Sequence, residues 1–290
     1  MKENTPRKAG PRFAGKIGIF DSGLGGLVIA KAIFSAKGGS AFGGTNLSAY
    51  DYIYLGDTKR LPYGNKTSIQ VYKYTSAAVK FLLEQDCQLV IVACNTVSAL
   101  ALRKIQREFL PRHYPDRRVL GVVIPTLEEA DKNHSGKVIG VIATSATVGS
   151  HIYKKELMKI DSKAKIFEVA APALVPLIEQ NSLQKAEKTL RLYLKPLLKH
   201  NIEALVLGCT HYPLLKKEIS RQVGPKVKVI SQTDFLPAKL GAYLKRHKEI
   251  ERKLSKRRQR SFLVTKDNQS FDVVAKRLFG KKLKFKVVDL

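Results

Sequence analysis

The chain has 290 residues, 44% of them hydrophobic, which is enough to fill one large or two ordinary cores and excludes disorder throughout. Lys and Arg number 52 against 24 Asp and Glu, a formal charge of +28. No stretch approaches the roughly 20 uninterrupted apolar residues of a membrane span, the N-terminal segment lacks the apolar middle of a signal peptide, and three widely spaced cysteines offer neither a disulfide framework nor a zinc site. A cytoplasmic protein with free thiols and no metal is expected.

The charge gathers in the N-terminal tail, in "KRHKEIERKLSKRRQR" (245–260) and in "KRLFGKKLKFK" (276–286). Such density attracts nucleic acid or an anionic membrane surface through counterion release. Because no helix-turn-helix, zinc-finger or RNP signature accompanies it, a solvated basic surface is the first reading and nucleic-acid contact the second.

In chain order, residues 1–16 read as a disordered basic tail, and "KIGIF" then opens a series of short apolar, β-branched runs. It continues with "YDYIYLG", "CQLVIVAC", "VLGVVI", "KVIGVIAT", "KIFEVAA", "EALVLGC", "VKVI" and "SFLVT", separated mostly by helical patterns. This predicts an α/β fold with mainly parallel sheets, whose strands are buried on both faces. Of the helices, Thr67 to Gln85 carries a capping box at Thr67 and Gln70 and a stripe of Ile69, Tyr72, Ser76, Val79 and Leu83. The cluster "AKGGSAFGGTN" (36–46) reads as a flexible loop.

In parallel sheets ligands sit beyond the carboxyl ends of the strands, and the polar chemistry of this chain lies there. After the first strand comes "DSGLGG", where Asp21 and Ser22 precede a glycine turn into a helix whose N-terminus suits an anion. It is not a dinucleotide fingerprint, because Val28 occupies the place of the third small residue. In "LPYGN", Pro62 holds Leu61 extended and Gly64 permits a positive φ, which fixes Tyr63.

"LVIVACNTVSAL" (89–100) and "ALVLGCTHYPLL" (204–215) form a pseudo-repeat, each placing a cysteine at a strand-to-helix junction. One buried cysteine is ordinarily a small hydrophobe, and Cys87, which begins a strand, reads that way. Two matched thiols, Cys94 and Cys209, fit a different task. Inverting a stereocentre requires one group to remove a proton and another, on the opposite face, to deliver one, with His211 placed to orient or exchange a proton. No nucleotide or flavin fingerprint is present and no lysine stands out for a pyridoxal Schiff base, so a cofactor-free reaction is expected.

The motifs "IGIFDSGLGG", "YLGDTKRLPYGNK", "VACNTVSA", "GVIATSATV", "VPLIE" and "LGCTHYPLL", in this order, resemble the glutamate racemases of the aspartate/glutamate racemase superfamily, from about Ile17 to Asp289. The resemblance implies racemisation of glutamate, with Cys94 acting on D-glutamate assisted by Asp21 and Cys209 on L-glutamate assisted by His211. Asp21, Ser22, Tyr63, Gly64, Asn95, Thr96, Thr210 and His211 would hold the substrate. It implies two similar α/β domains with the site in their cleft, the first formed by 17–117 plus 233–290 and the second by 118–232. It also implies a homodimer and a supply of D-glutamate for peptidoglycan. Departures are Ala171, where the family commonly has cysteine, and "ISQTDF" (230–235), which follows the pattern poorly. A racemase of aspartate or another amino acid, or a basic nucleic-acid-binding protein on a racemase fold, stand as alternatives.

Overall fold

The computed structural model describes residues 14–39, 44–132, 136–267 and 270–290. Each of the nine apolar runs contains a strand: β1 (Lys16–Asp21), β2 (Tyr52–Gly56), β3 (Cys87–Val92), β4 (Arg118–Gly121), β5 (Val138–Ala143), β6 (Lys165–Ala170), β7 (Ala204–Gly208), β8 (Lys228–Ile230) and β9 (Arg260–Val264). A tenth, β10 (Phe285–Val287), was not expected from the sequence. The strands form two sheets, β10-β9-β2-β1-β3-β4 and β6-β5-β7-β8, and every pairing in them is parallel.

Side chains alternate between faces along each strand, and the cores follow that period of two. Ile17 and Ile19 of β1, Leu89 and Ile91 of β3, and Ala204 and Val206 of β7 belong to one core that joins the two sheets. The alternate residues face outward: Phe20, Val90 and Val92 pack in a core with Val79 and Leu82 of the helix Ser68–Glu84, while Leu205 and Leu207 pack with Leu190 and Leu194 of the helix Leu183–Leu198. Truncating one fully buried aliphatic side chain, such as Ile19, would cost about 2–5 kcal/mol.

Strand order fixes where a ligand can sit. In the six-stranded sheet the chain moves from β1 to β2 on one side and then to β3 on the other, so the order reverses between β1 and β3. In the four-stranded sheet it reverses in the same way between β5 and β7. Each sheet thus opens a crevice at the carboxyl ends of those pairs.

Several sequence expectations are corrected. Arg118–Gly121 pairs with Leu89–Val92 of β3, so residues 118–121 belong to the first sheet and not, as expected, to the second unit. The run "VLGVVI" stops being strand at Gly121 and a helix, Val123–Ala130, takes over. Of the expected tail, residues 1–13 lie outside the described residues, whereas Gly15 bridges Leu254 and Lys16 opens β1. Of the loop 36–46, residues 40–43 lie outside the described residues. The capping box is present, Thr67 Oγ1 accepting from Gln70 N and Gln70 Oε1 from Thr67 N. The helix it opens, however, buries Val71, Thr75, Ala78, Val79, Leu82 and Leu83, while Ile69 is 79% exposed. Apolar residues on both stripes allowed either face, and packing on the sheet selects this one.

The basic run 245–260 leads into β9 and the run 276–286 into β10, the two strands at one edge of the first sheet. Arg260 is not merely solvated: its guanidinium stacks 4.7 Å from the ring centres of Phe34 and Tyr52 and donates to Ser48 O. Among the described residues, no helix is long and apolar enough to cross a membrane.

Candidate active site

At the end of β1 the Asp21 side chain is fully buried, and its carboxylate accepts the Gly23 N–H at 3.0 Å. Burial raises its pKa, against the opposing pull of His211, the Gly23 and Gly26 N–H groups and Thr210. The glycines serve close approach. A Cβ on Gly26 would lie 2.6 Å from Asp21 Cβ, and one on Gly25 would lie 2.6 Å from His211 Nδ1. Ser22 Oγ stands 3.4 Å from Cys94 Sγ, so Ser22 is the direct partner of this thiol, and Asp21 acts on it through charge.

Cys94 caps the helix Asn95–Leu100 just beyond β3. Burial first, then the Asp21 charge, push its thiol up to about 12, although Ser22 and the Val97 N–H act in the opposite sense. Asn95 Oδ1 accepts from Tyr153 OH at 2.6 Å and from Gln232 Nε2 at 3.1 Å. Thr96 Oγ1 lies 2.9 Å from Thr144 Oγ1 and 3.2 Å from Thr147 Oγ1, both following β5. Tyr63 donates to Asp57 at 2.5 Å, and Asp57 also takes Arg60 and Thr265. The expected positive φ at Gly64 is absent. Gly64 instead admits a close approach, since a Cβ there would lie 3.1 Å from Thr144 Cβ.

From the second sheet, β7 delivers Cys209, Thr210 and His211, all buried. Cys209 Sγ lies 3.7 Å from His211 Nδ1, and His211 Nε2 lies 3.0 Å from Glu179 Oε1. Burial works to lower the His211 pKa, but the bonds and charges of Cys209 and Glu179 overcome it and hold the imidazole well above its ordinary value. Both ring nitrogens of His211 thus face a polar partner, Nδ1 toward Cys209 and Nε2 toward Glu179. Thr210 Oγ1 donates to Asp21 Oδ1 at 3.3 Å, a bond that crosses from one sheet to the other. A cavity of about 340 Å³, lined in part by Gly25, Leu61, Glu179, His211 and two lysines, Lys59 and Lys266, reaches this group.

The structure therefore brings together Asp21, Ser22 and Cys94 from one sheet with Cys209, Thr210 and His211 from the other, and Asn95 and Thr96 adjoin them. Tyr63 and Gly64 stand beside them through Asp57 and Thr144. Residues 44–238 match the family model of the Asp/Glu/Hydantoin racemases. The chain belongs to that racemase family.

Relatives agree along most of the chain. The glutamate racemase of Geobacter metallireducens is 37% identical over 271 residues, 92% of this chain and 93% of the relative. That of Aquifex pyrophilus is 40% identical over 232 residues, 79% of this chain and 84% of the relative. Among solved structures, glutamate racemase isoform RacE1 from Bacillus anthracis superposes with a TM-score of 0.82 at 30% identity, covering 95% of this chain and 98% of that one. The Francisella tularensis glutamate racemase, solved in complex with D-glutamate, gives 0.80 at 29% identity, covering 95% and 97%. An aspartate racemase of Picrophilus torridus shares the fold, with a TM-score of 0.53 at 19% identity. These are amino-acid racemases, enzymes of the isomerase class, with two α/β units like those described above.

Several hydrogen-bond partners of the site residues were not assigned from the sequence. Glu179 lies in the quoted "VPLIE" motif, and Thr144 and Thr147 in the strand-end "TSAT", so both had a signal. Asp57 also follows a strand. Tyr153 and Gln232 carried none, because their partner is far away in sequence. Cys87 is buried at the start of β3, its thiol pushed up to about 12 by burial, which fits the packing role read for it. Among the described residues, no group of three His, Cys, Asp or Glu could hold a metal.

Proposed function

We propose that the protein interconverts L- and D-glutamate with two cysteine acid/base groups and no cofactor. The observation that carries this reading is the pair of thiols at the crevices of the two sheets, Cys94 against Ser22 and Cys209 against His211. His211, held by Glu179, stands 3.7 Å from Cys209 Sγ, and burial pushes the Cys94 thiol up to about 12. In the L-to-D direction the Cys209 thiolate takes the α-proton. The Cys94 S–H then delivers its proton to the opposite face of the carbanion, which leaves Cys94 as thiolate and Cys209 as thiol. The reverse direction exchanges the roles, and solvent resets the pair.

Glutamate has two carboxylates and one ammonium to be held. Hydroxyls of Thr96 and Thr210, the Ser22 hydroxyl and the amide of Asn95 offer donors, and Asp21 offers an anionic partner for the ammonium. Tyr63, Gly64 and His211 complete the set. A dry site strengthens these dipoles around the developing carbanion. In the cell the reading places the protein in the cytoplasm as a homodimer supplying D-glutamate for peptidoglycan. The basic runs are read as surface that attracts nucleic acid only non-specifically and in a salt-dependent way.

The test is to follow pure L- and D-glutamate and both aspartates by circular dichroism without added cofactor, using the wild type, Cys94→Ser and Cys209→Ser. Glutamate turnover by the wild type and a loss of about 10²–10⁴-fold in each variant are expected. Equal turnover of aspartate, or wild-type rates in the serine variants, would refute the assignment.

A further inference from the structure

Asn95, next to Cys94, is the point where three distant segments meet. Its Oδ1 takes a bond from Tyr153, on the helix Ile152–Ile160 of the second sheet, and another from Gln232, the first residue of the helix Gln232–Arg246. That helix follows β8 and packs against the helix Gly26–Phe34 on the first sheet, so Gln232 sits where the chain returns from one sheet to the other. Asn95 is 1% exposed, and Gln232 and Tyr153 are fully buried. Gln232 also lies in the segment 230–235 that departs from the glutamate racemase pattern.

Two donors on Oδ1 orient the carboxamide and leave Asn95 Nδ2 as a buried donor with no partner among the described residues. Gln232 Oε1 is likewise without one. A buried amide group lacking a bond is costly, and a carboxylate bound beside Cys94 would satisfy the Asn95 donor.

We propose that Gln232 is a positioning residue of this site: with Tyr153 it fixes the Asn95 carboxamide so that Nδ2 meets a substrate carboxylate. The proposal rests on the racemase reading above. Because the bond is made to a group that does not react, it holds ground state and transition state alike, and its loss falls on KM.

The test is a double-mutant cycle on Gln232→Met, which keeps length without hydrogen bonds, and Asn95→Ala, with Gln232→Glu and Tyr153→Phe alongside. Initial rates with each glutamate enantiomer and the melting temperature are recorded. Gln232→Met is expected to raise KM for both enantiomers about 5- to 10-fold, the worth of one hydrogen bond, with kcat within about twofold. Gln232→Glu, which presents only acceptors to Oδ1, should behave alike, and Tyr153→Phe should raise KM in the same direction. In the Asn95→Ala background Gln232→Met should add nothing to KM. A lower melting temperature with unchanged KM, full retention in Gln232→Glu, or multiplicative effects in the double variant would overturn the proposal. Absence of glutamate turnover in the wild type would instead defeat the racemase reading itself.

Discussion

Gly25→Ala separates the needs of the fold from those of the site. Gly25 has φ −55° and ψ −36°, which alanine adopts without strain. By backbone propensity alone the change would be neutral or stabilising by about 0.5–1 kcal/mol. The new methyl, however, would overlap Thr210 Oγ1 and stand 2.6 Å from His211 Nδ1, where contact distances near 3.5 Å are normal. Gly25 belongs to the first sheet's crevice and Thr210 and His211 to the second, so relief requires the two sides to part by about 1 Å. That parting would stretch the Thr210–Asp21 bond, now 3.3 Å, and carry Cys209 with it. A misplacement of about 1 Å costs about 10²-fold in rate, equivalent to about 2.7 kcal/mol of barrier. The assay is initial-rate racemisation of L-glutamate with a melting curve on the same sample. Gly149→Ala is the control, because a Cβ there meets nothing within 4 Å, and it should leave the rate unchanged. A wild-type rate in Gly25→Ala would refute the claim that the two crevices close on each other through this glycine.

The remaining predictions concern His211. Removing the Glu179 charge in Glu179→Gln takes away one of the two influences that raise the His211 pKa, so the alkaline limb of kcat/KM should move to lower pH; an unmoved limb would remove Glu179 from the proton chain. The folded pKa of His211 lies above its unfolded value of about 6.5, so its contribution to stability is complete below that pH and is lost as pH rises through the folded value. Urea midpoints should therefore fall across that alkaline window in the wild type and stay flatter in Glu179→Gln, and identical slopes would contradict the assignment.

Much of this site was legible because parallel strands buried on both faces are continuous apolar runs, and the residue after each run is marked by its change of chemistry. Asp21, Cys94, Thr144 and Cys209 all follow such runs. The edge strand β10 was not legible, because lysines interrupt "KFKVV" where one side of the strand faces solvent. Nor was the end of β4, since "VLGVVI" is uniformly apolar and only pairing with β3 decides that the strand stops at Gly121. Tyr153 and Gln232 depend on a partner, Asn95, that lies 58 and 137 residues away, a relation set by the packing of the two sheets and absent from any local pattern.

The two-thiol account is tested most directly by following single turnovers in heavy water, starting from either enantiomer and reading deuterium at Cα in substrate and product separately. If Cys209 takes the proton from L-glutamate and Cys94 supplies another from the opposite face, the first product formed carries solvent deuterium while the recovered substrate keeps its protium. Product that retains the substrate's own protium would mean that one group both removes and returns the proton, and would contradict the two-thiol account.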